Sequence, residues 1–162
     1  MANKEFSFST FNKYSSTGIY QSLIDCNVKN KNIGSYIYGT LNFPITAKEI
    51  EYARTYLKQM HPNSISIAID AAIGDSNDIG LIRVFDKGLK PGLGVDKNLG
   101  VVGDISIIGV VASKSNKNFN LFNLTRLNLI YKMAETIANG IEQYITYLNS
   151  KDDFLLNKSF GA

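Results

Sequence analysis

Ser64-Ile-Ser-Ile-Ala-Ile-Asp70 is the stretch from which the rest of the chain can be read. Ile65, Ile67 and Ile69 recur with period two on one face, while Ser66 and Ala68 put small groups on the other. Both faces of such a strand can be covered, which is the pattern of the interior of an α/β sheet. Asp70 closes the run, and open α/β sheets collect ligands and chemistry at the carboxyl ends of their strands. An acid after an apolar strand is expensive to bury unless it is paired or its pKa rises, and both conditions mark active sites. The plainer reading is an Asp that caps the next turn through its own backbone.

Working outward, Thr46-Ala-Lys-Glu49 reads as a capping box, with hydroxyl and carboxylate each accepting from the other residue's backbone N–H. Ile50, Ala53, Leu57 and Met60 then repeat on one face, and His61-Pro62 ends the run, so the pattern predicts a helix over Ala47–Met60. Beyond Asp70, Asp75-Ser-Asn-Asp78 makes a turn into a strand over Ile79–Phe85, and Ile105–Val111 is another strand. Between these two lies a glycine-punctuated loop, Asp86–Asp104, long enough to suggest a functional or covering role. A helix starts near Phe119 or Asn120. Its apolar face takes Leu127, Ile130, Ala134, Ile137, Ile141, Tyr144 and Leu148. The first 45 residues are less regular: a short strand at Phe6–Phe11, a short helix over Ile19–Val28 and a strand over Gly34–Tyr38. Residues 1–150 are read as one domain and 151–162 as a C-terminal tail without clear period.

Composition narrows the function. The chain has 162 residues with 44% hydrophobic and 19% charged side chains, enough for a packed core and about one domain in length. A net charge of +3, spread over single lysines, does not point to nucleic acid. Neither a signal-peptide core nor a membrane span is visible. Cys26 is the only cysteine and cannot form an intrachain disulfide, so a reducing, cytoplasmic interior is the expectation. With a single His and a single Cys, no metal site or cofactor is expected, and carboxylates are the plausible chemical groups. Abundant Asn, Lys, Ile, Tyr and Phe hint at a low-GC bacterial genome.

Each remaining motif has a bland reading. Gly88-Leu-Lys-Pro-Gly92-Leu-Gly94 lacks the Gly-Lys-Ser/Thr ending of a phosphate loop and does not fit a dinucleotide fingerprint, so turns needing positive φ are the simpler account. His61 reads as a surface residue, Cys26 as core, and Tyr36, Tyr38, Phe119 and Phe122 as packing residues.

Three segments, in order and spacing, carry a more specific signal. Tyr38-Gly-Thr-Leu41 followed by Pro44, Ala68-Ile-Asp-Ala71, and Gly88-Leu-Lys-Pro-Gly92 through Gly94-Val95 to Val102-Gly-Asp-Ile105 resemble the YyaC family of sporulation proteins. That family is itself similar to the germination protease of endospore-forming bacteria. Thr125-Arg-Leu127 and Lys132-Met-Ala134 fit the same pattern, and the resemblance runs from about Ser16 to Tyr144. It implies a three-layer α/β/α sandwich of the phosphorylase/hydrolase-like type, shared with hydrogenase-maturation proteases. It also implies an endopeptidase ancestry, with small acid-soluble spore proteins or another spore protein as partner, a forespore or spore-core location, and possible homo-oligomers.

The chemistry proposed for that protease uses two aspartates. One acid carries over to Asp70. The other belongs in a Ser-Thr-Gly-Asp-Ser-Leu-Gly-Pro-like stretch, where this chain has Ser16-Thr-Gly-Ile-Tyr-Gln-Ser-Leu-Ile-Asp25. Ile19 or Gln21 then occupies the acid position, and neither transfers a proton. Asp25, one helical turn beyond Gln21, is the remaining candidate. Lys90, Gly92, Gly94 and Asp104 would form the binding loop beside the cleft. The resemblance therefore implies an aspartic-type peptidase site with one acid missing, or a non-catalytic binding or assembly protein on the same scaffold. A nickel-sensing maturation protease is disfavoured, because His61 is the only imidazole and precedes the strand that bears Asp70.

Overall fold

The structure, a computed structural model, describes residues 6–12, 35–39, 45–46, 49–90, 100–113 and 127–159. The Ile65-to-Ile69 pattern becomes the middle of a six-stranded sheet in the order β2-β1-β4-β6-β5, with β3 paired to β1. Here β1 is Phe6–Asn12, β2 Ser35–Tyr38, β3 Ile45–Thr46, β4 Ile65–Gly74, β5 Ile82–Phe85 and β6 Ile105–Ser113. Strands β2, β1, β4 and β6 run parallel, and β5 joins β6 as an antiparallel edge. Two helices are described, α1 over Ile50–Met60 and α2 over Leu127–Ser159.

Alternation along β4 divides the core in two. Ile67 and Ile69 pack with Ile107 and Val111 of β6 under α2, whose Ile130, Met133, Ala134, Ile137, Ala138, Ile141 and Ile145 are buried. Ala68 turns to the opposite face and packs with Ile45, Ile50, Leu89 and Val102. Helices on both faces of a mostly parallel sheet make the three-layer α/β/α fold expected from the sequence. The small side chain at position 68 has a further consequence. A Cβ placed on Gly103, whose φ is +79°, would lie 2.9 Å from the Ala68 Cβ, so the chain entering β6 lies directly on the sheet there.

Several boundaries differ from the sequence reading. Thr46 pairs with Asn12 as part of β3, so the capping box does not form. Helix α1 begins at Ile50, with Glu49 as its N-cap and no side-chain cap bond. Met60 is 55% exposed and lies outside the core face. Strand β4 does not stop at Asp70: pairing with β6 continues through Gly74↔Ser113, across an irregularity between Ala72 and Ile73. The strand expected from Ile79 begins at Ile82, because Ser76–Asp78 form a 3-10 turn and Gly80, at φ +93°, bonds to the Val110 carbonyl. Leu127 and Tyr144 are exposed on α2, not core. The backbone stays helical through Ser159, where an irregular tail was expected after Ser150. No Gly or Pro interrupts Lys151–Ser159 to stop it. The expected Ile19–Val28 helix, the start of the last helix near Phe119, Phe122, and Cys26 all lie outside the described residues.

Candidate functional site

Asp70 is brought to a particular place by the pairing of its neighbours. Strand β1 matches β4 from Phe6↔Ile65 to Thr10↔Ile69, after which Phe11 and Asn12 pair instead with β3. Asp70 is thus the first residue of β4 past its pairing with β1, while its other side remains on β6 opposite Ile108. The chain leaves β1 for β2 on one side and returns through β3 and α1 to β4 on the other. The gap between β1 and β4 is therefore the switch point of the topology, where open α/β sheets place their ligand crevices. Asp70 is interior to its strand and not at its carboxyl end, one residue past the point where the pairing of β1 with β4 stops.

The electrostatics follow from that position. Asp70 shares a sheet face with buried Ala68 and sits beside an apolar cluster that includes Leu89 and Val102. Burial of its carboxyl pushes the pKa up to about 7, and the bond that Ala71 N–H donates to Oδ1 at 2.8 Å opposes this without reversing it. Charging an acid against an apolar wall costs more than one amide donor returns. Among the described residues no second carboxylate acts on Asp70, so its raised pKa is not the signature of a coupled pair. The Ala71 bond is also the local backbone contact of the plainer reading. The side chain serves the backbone and titrates near neutrality.

The other site candidates are not gathered around it. Asp104 accepts from Ser66 N–H at 2.9 Å through Oδ2, and its own N–H donates to the Ser66 carbonyl at 2.7 Å. Ser66 is four residues before Asp70, about 13 Å along the strand, so Asp104 pins the amino-terminal end of β4. Lys90 is exposed and follows Leu89, which is buried with Val102 and forms a two-way backbone bridge with it. That bridge lays the loop's base over Ala68. Gly92, Gly94 and Asp25 lie outside the described residues. No cluster of three or more potential metal-ligating side chains occurs among the described residues. None of their helices is long and apolar enough to cross a membrane.

Sequence reasoning missed an aromatic cluster around the only histidine. His61 closes α1, donating its backbone N–H to the Leu57 carbonyl, and its ring stacks on Tyr36 with centroids 4.0 Å apart. The Tyr38 hydroxyl and His61 Nε2 share a hydrogen bond, and Tyr56 meets Tyr38 edge-on at 6.1 Å. Burial, with Tyr56 and Tyr36 nearby, raises the Tyr38 pKa. The period-two placement of Tyr36 and Tyr38 was the available signal, since it puts both on the α1 face of β2.

Comparison with known proteins agrees with this architecture. The curated protein YyaC of Bacillus subtilis (strain 168), described as uncharacterized, is 36% identical over 106 residues, covering 65% of this chain. The match spans 52% of that relative, about half its length. The solved [NiFe] hydrogenase maturation protease HycI from Thermococcus kodakarensis KOD1 aligns over 88% of this chain and 92% of its own, with TM-score 0.50 and 13% identity. At that identity the likeness is one of fold. The family described as "Protein of unknown function (DUF1256)" matches residues 15–140, and with most of its length matched the chain belongs to the DUF1256 family.

Proposed function

We propose that the chain is a YyaC-type protein of the sporulating cell, built on a peptidase scaffold, whose two-acid hydrolytic site retains Asp70 and is impaired in its second member. The observation that carries this reading is the environment of Asp70: a carboxyl at the topological switch point, raised to about 7 by burial, with no acid partner among the described residues. A two-carboxylate peptidase needs one acid protonated while the other, ionised, activates water. A lone Asp70 supplies one of these roles at a time. Ile19 and Gln21, which the family resemblance places at the second acid position, supply neither.

The test is incubation of the purified chain and its Asp70→Asn variant with small acid-soluble spore proteins, the substrate class that the resemblance suggests. Neither is expected to cleave. Cleavage by the wild type that Asp70→Asn abolishes would overturn the reading, and an Asp25→Asn variant would then ask whether Asp25 is the second acid. The loop base fastened over Ala68 by Leu89, Val102 and Gly103 favours a second reading, recognition of a partner by the Asp86–Asp104 loop in the forespore. Recovery of a spore protein on the wild-type chain, undiminished by Asp70→Asn, would support it.

A further inference from the structure

Helix α1 turns the buried Ile50 and Leu57 and the half-buried Ala53 inward as one stripe. At about 100° per residue, Arg54 and Lys58 fall on one flank of that stripe and Tyr52 and Tyr56 on the other. The tyrosine flank meets Tyr38 of β2. The arginine flank meets the base of the Asp86–Asp104 loop: a Cβ built on Gly100, whose φ is +75°, would fall on the Arg54 Nη1. Glycine at position 100 thus does two things, adopting a backbone angle that strains other residues and leaving the space that the guanidinium fills.

The same junction gathers further positive charge. Leu89 and Val102 exchange both backbone hydrogen bonds and pack with Ala68. In that antiparallel register Lys90 stands across from Val101 and next to Gly100, and Lys90 and Val101 are both exposed. Lys58 follows Arg54 by one helical turn, a like-charge pair that lowers helix stability. Arg83 is held by Asp78 at 2.7 Å, whereas the side chains of Arg54, Lys58 and Lys90 form no ion pair or hydrogen bond among the described residues. The nearby acids do not answer them: Glu51, one turn before Arg54, is exposed and unpaired, and Asp104 is engaged by Ser66 N–H. Arg54 is half-buried, so its five N–H donors lose hydration without gaining an acceptor from the fold.

We propose that the junction of α1 with the loop base is a docking surface for an acidic peptide segment of a protein partner, in which Arg54 grips one carboxylate and Lys58 and Lys90 take its neighbours. The inference rests on the reading of the loop as a recognition element and gives the chemistry that it recognises. Charge complementarity selects an anionic chain, and the exposed Val101 offers that chain an apolar contact. The planar fork of an arginine matches a carboxylate with two parallel hydrogen bonds. A nucleic-acid strand carries the same sign of charge but is held by stacking on aromatic rings, and the tyrosines of α1 occupy the opposite flank. Arg54 is not among the groups that shift Asp70, so the peptide is held apart from that carboxyl.

Fluorescence anisotropy of a labelled octaglutamate peptide titrated with the full chain at low salt tests this. Saturable binding that weakens as salt rises is expected, with none for octaglutamine. Arg54→Gln should weaken it about tenfold. Lys90→Gln, at an exposed position where folding is not at stake, should weaken it about threefold. Arg83→Gln removes the same unit of charge at the β5 edge and should leave the affinity unchanged, as should Asp70→Asn. Absence of saturable binding, equal losses in Arg54→Gln and Arg83→Gln, or tighter binding of octathymidylate than of octaglutamate overturns the proposal. Recovery of a spore protein on a chain that does not bind octaglutamate would keep the loop's recognition role and remove this surface.

Discussion

Replacing Asp70 by Asn keeps the side chain's shape and its acceptor for Ala71 N–H while removing its titration. In the folded protein the carboxyl holds its proton up to about 7, against an ordinary value of 3.8. Between those limits the folded state binds a proton that the unfolded chain has already released. Stability therefore falls as pH rises through this window and levels off above it. Each unit of displacement is worth about 1.4 kcal/mol, so the whole swing is at most about 4 kcal/mol, an upper figure because Asp70 keeps some contact with solvent. Asp70→Asn should lack the slope. Relative to wild type it should gain up to about 4 kcal/mol on going from pH 4 to pH 8. Urea unfolding of both proteins at half-unit pH steps measures this. A wild-type-to-variant difference that stays flat from pH 4 to 8 would refute the argument that Asp70 is buried against an apolar wall in the native state.

Two further substitutions probe how the loop is fastened to the sheet. Gly103→Ala meets both a positive φ and a contact 2.9 Å from Ala68, and should lower unfolding free energy by roughly 1–3 kcal/mol. Asp104→Ala removes the acceptor of Ser66 N–H at 2.9 Å and should cost about 1 kcal/mol in the same urea assay. It should leave the Asp70 pH profile unmoved, because Asp104 holds the far end of β4.

The Ile65–Ile69 alternation was legible because it reports a local period, and a period of two with small residues opposite admits few environments. The long helix was legible for the same reason, through residues such as Ile130, Ala134, Ile137 and Ile141, all buried as expected. Thr46 shows where local reading stops. Its capping signature is sound within four residues, yet pairing with Asn12, far away in the chain, takes that backbone into a strand. Met60 and Leu127 fit their helical faces by spacing, yet both are exposed at the ends of their helices. The stacking of His61 on Tyr36 joins residues 25 positions apart, which periodicity does not register.

By itself the sequence determined that this is an α/β chain and that β4 is sandwiched, and it singled out Asp70 as a candidate acid. Each of these is set by side-chain chemistry and spacing within about ten residues. Tertiary structure decided what Asp70 experiences, because the parting of β1 from β4 beside it depends on which distant strands win the hydrogen bonds. It also fastened Asp104 to Ser66, about 13 Å along β4 from Asp70, and left β5 at the edge of the sheet. Strand order and burial are properties of the assembled sheet, and they set the proton affinity of that carboxyl.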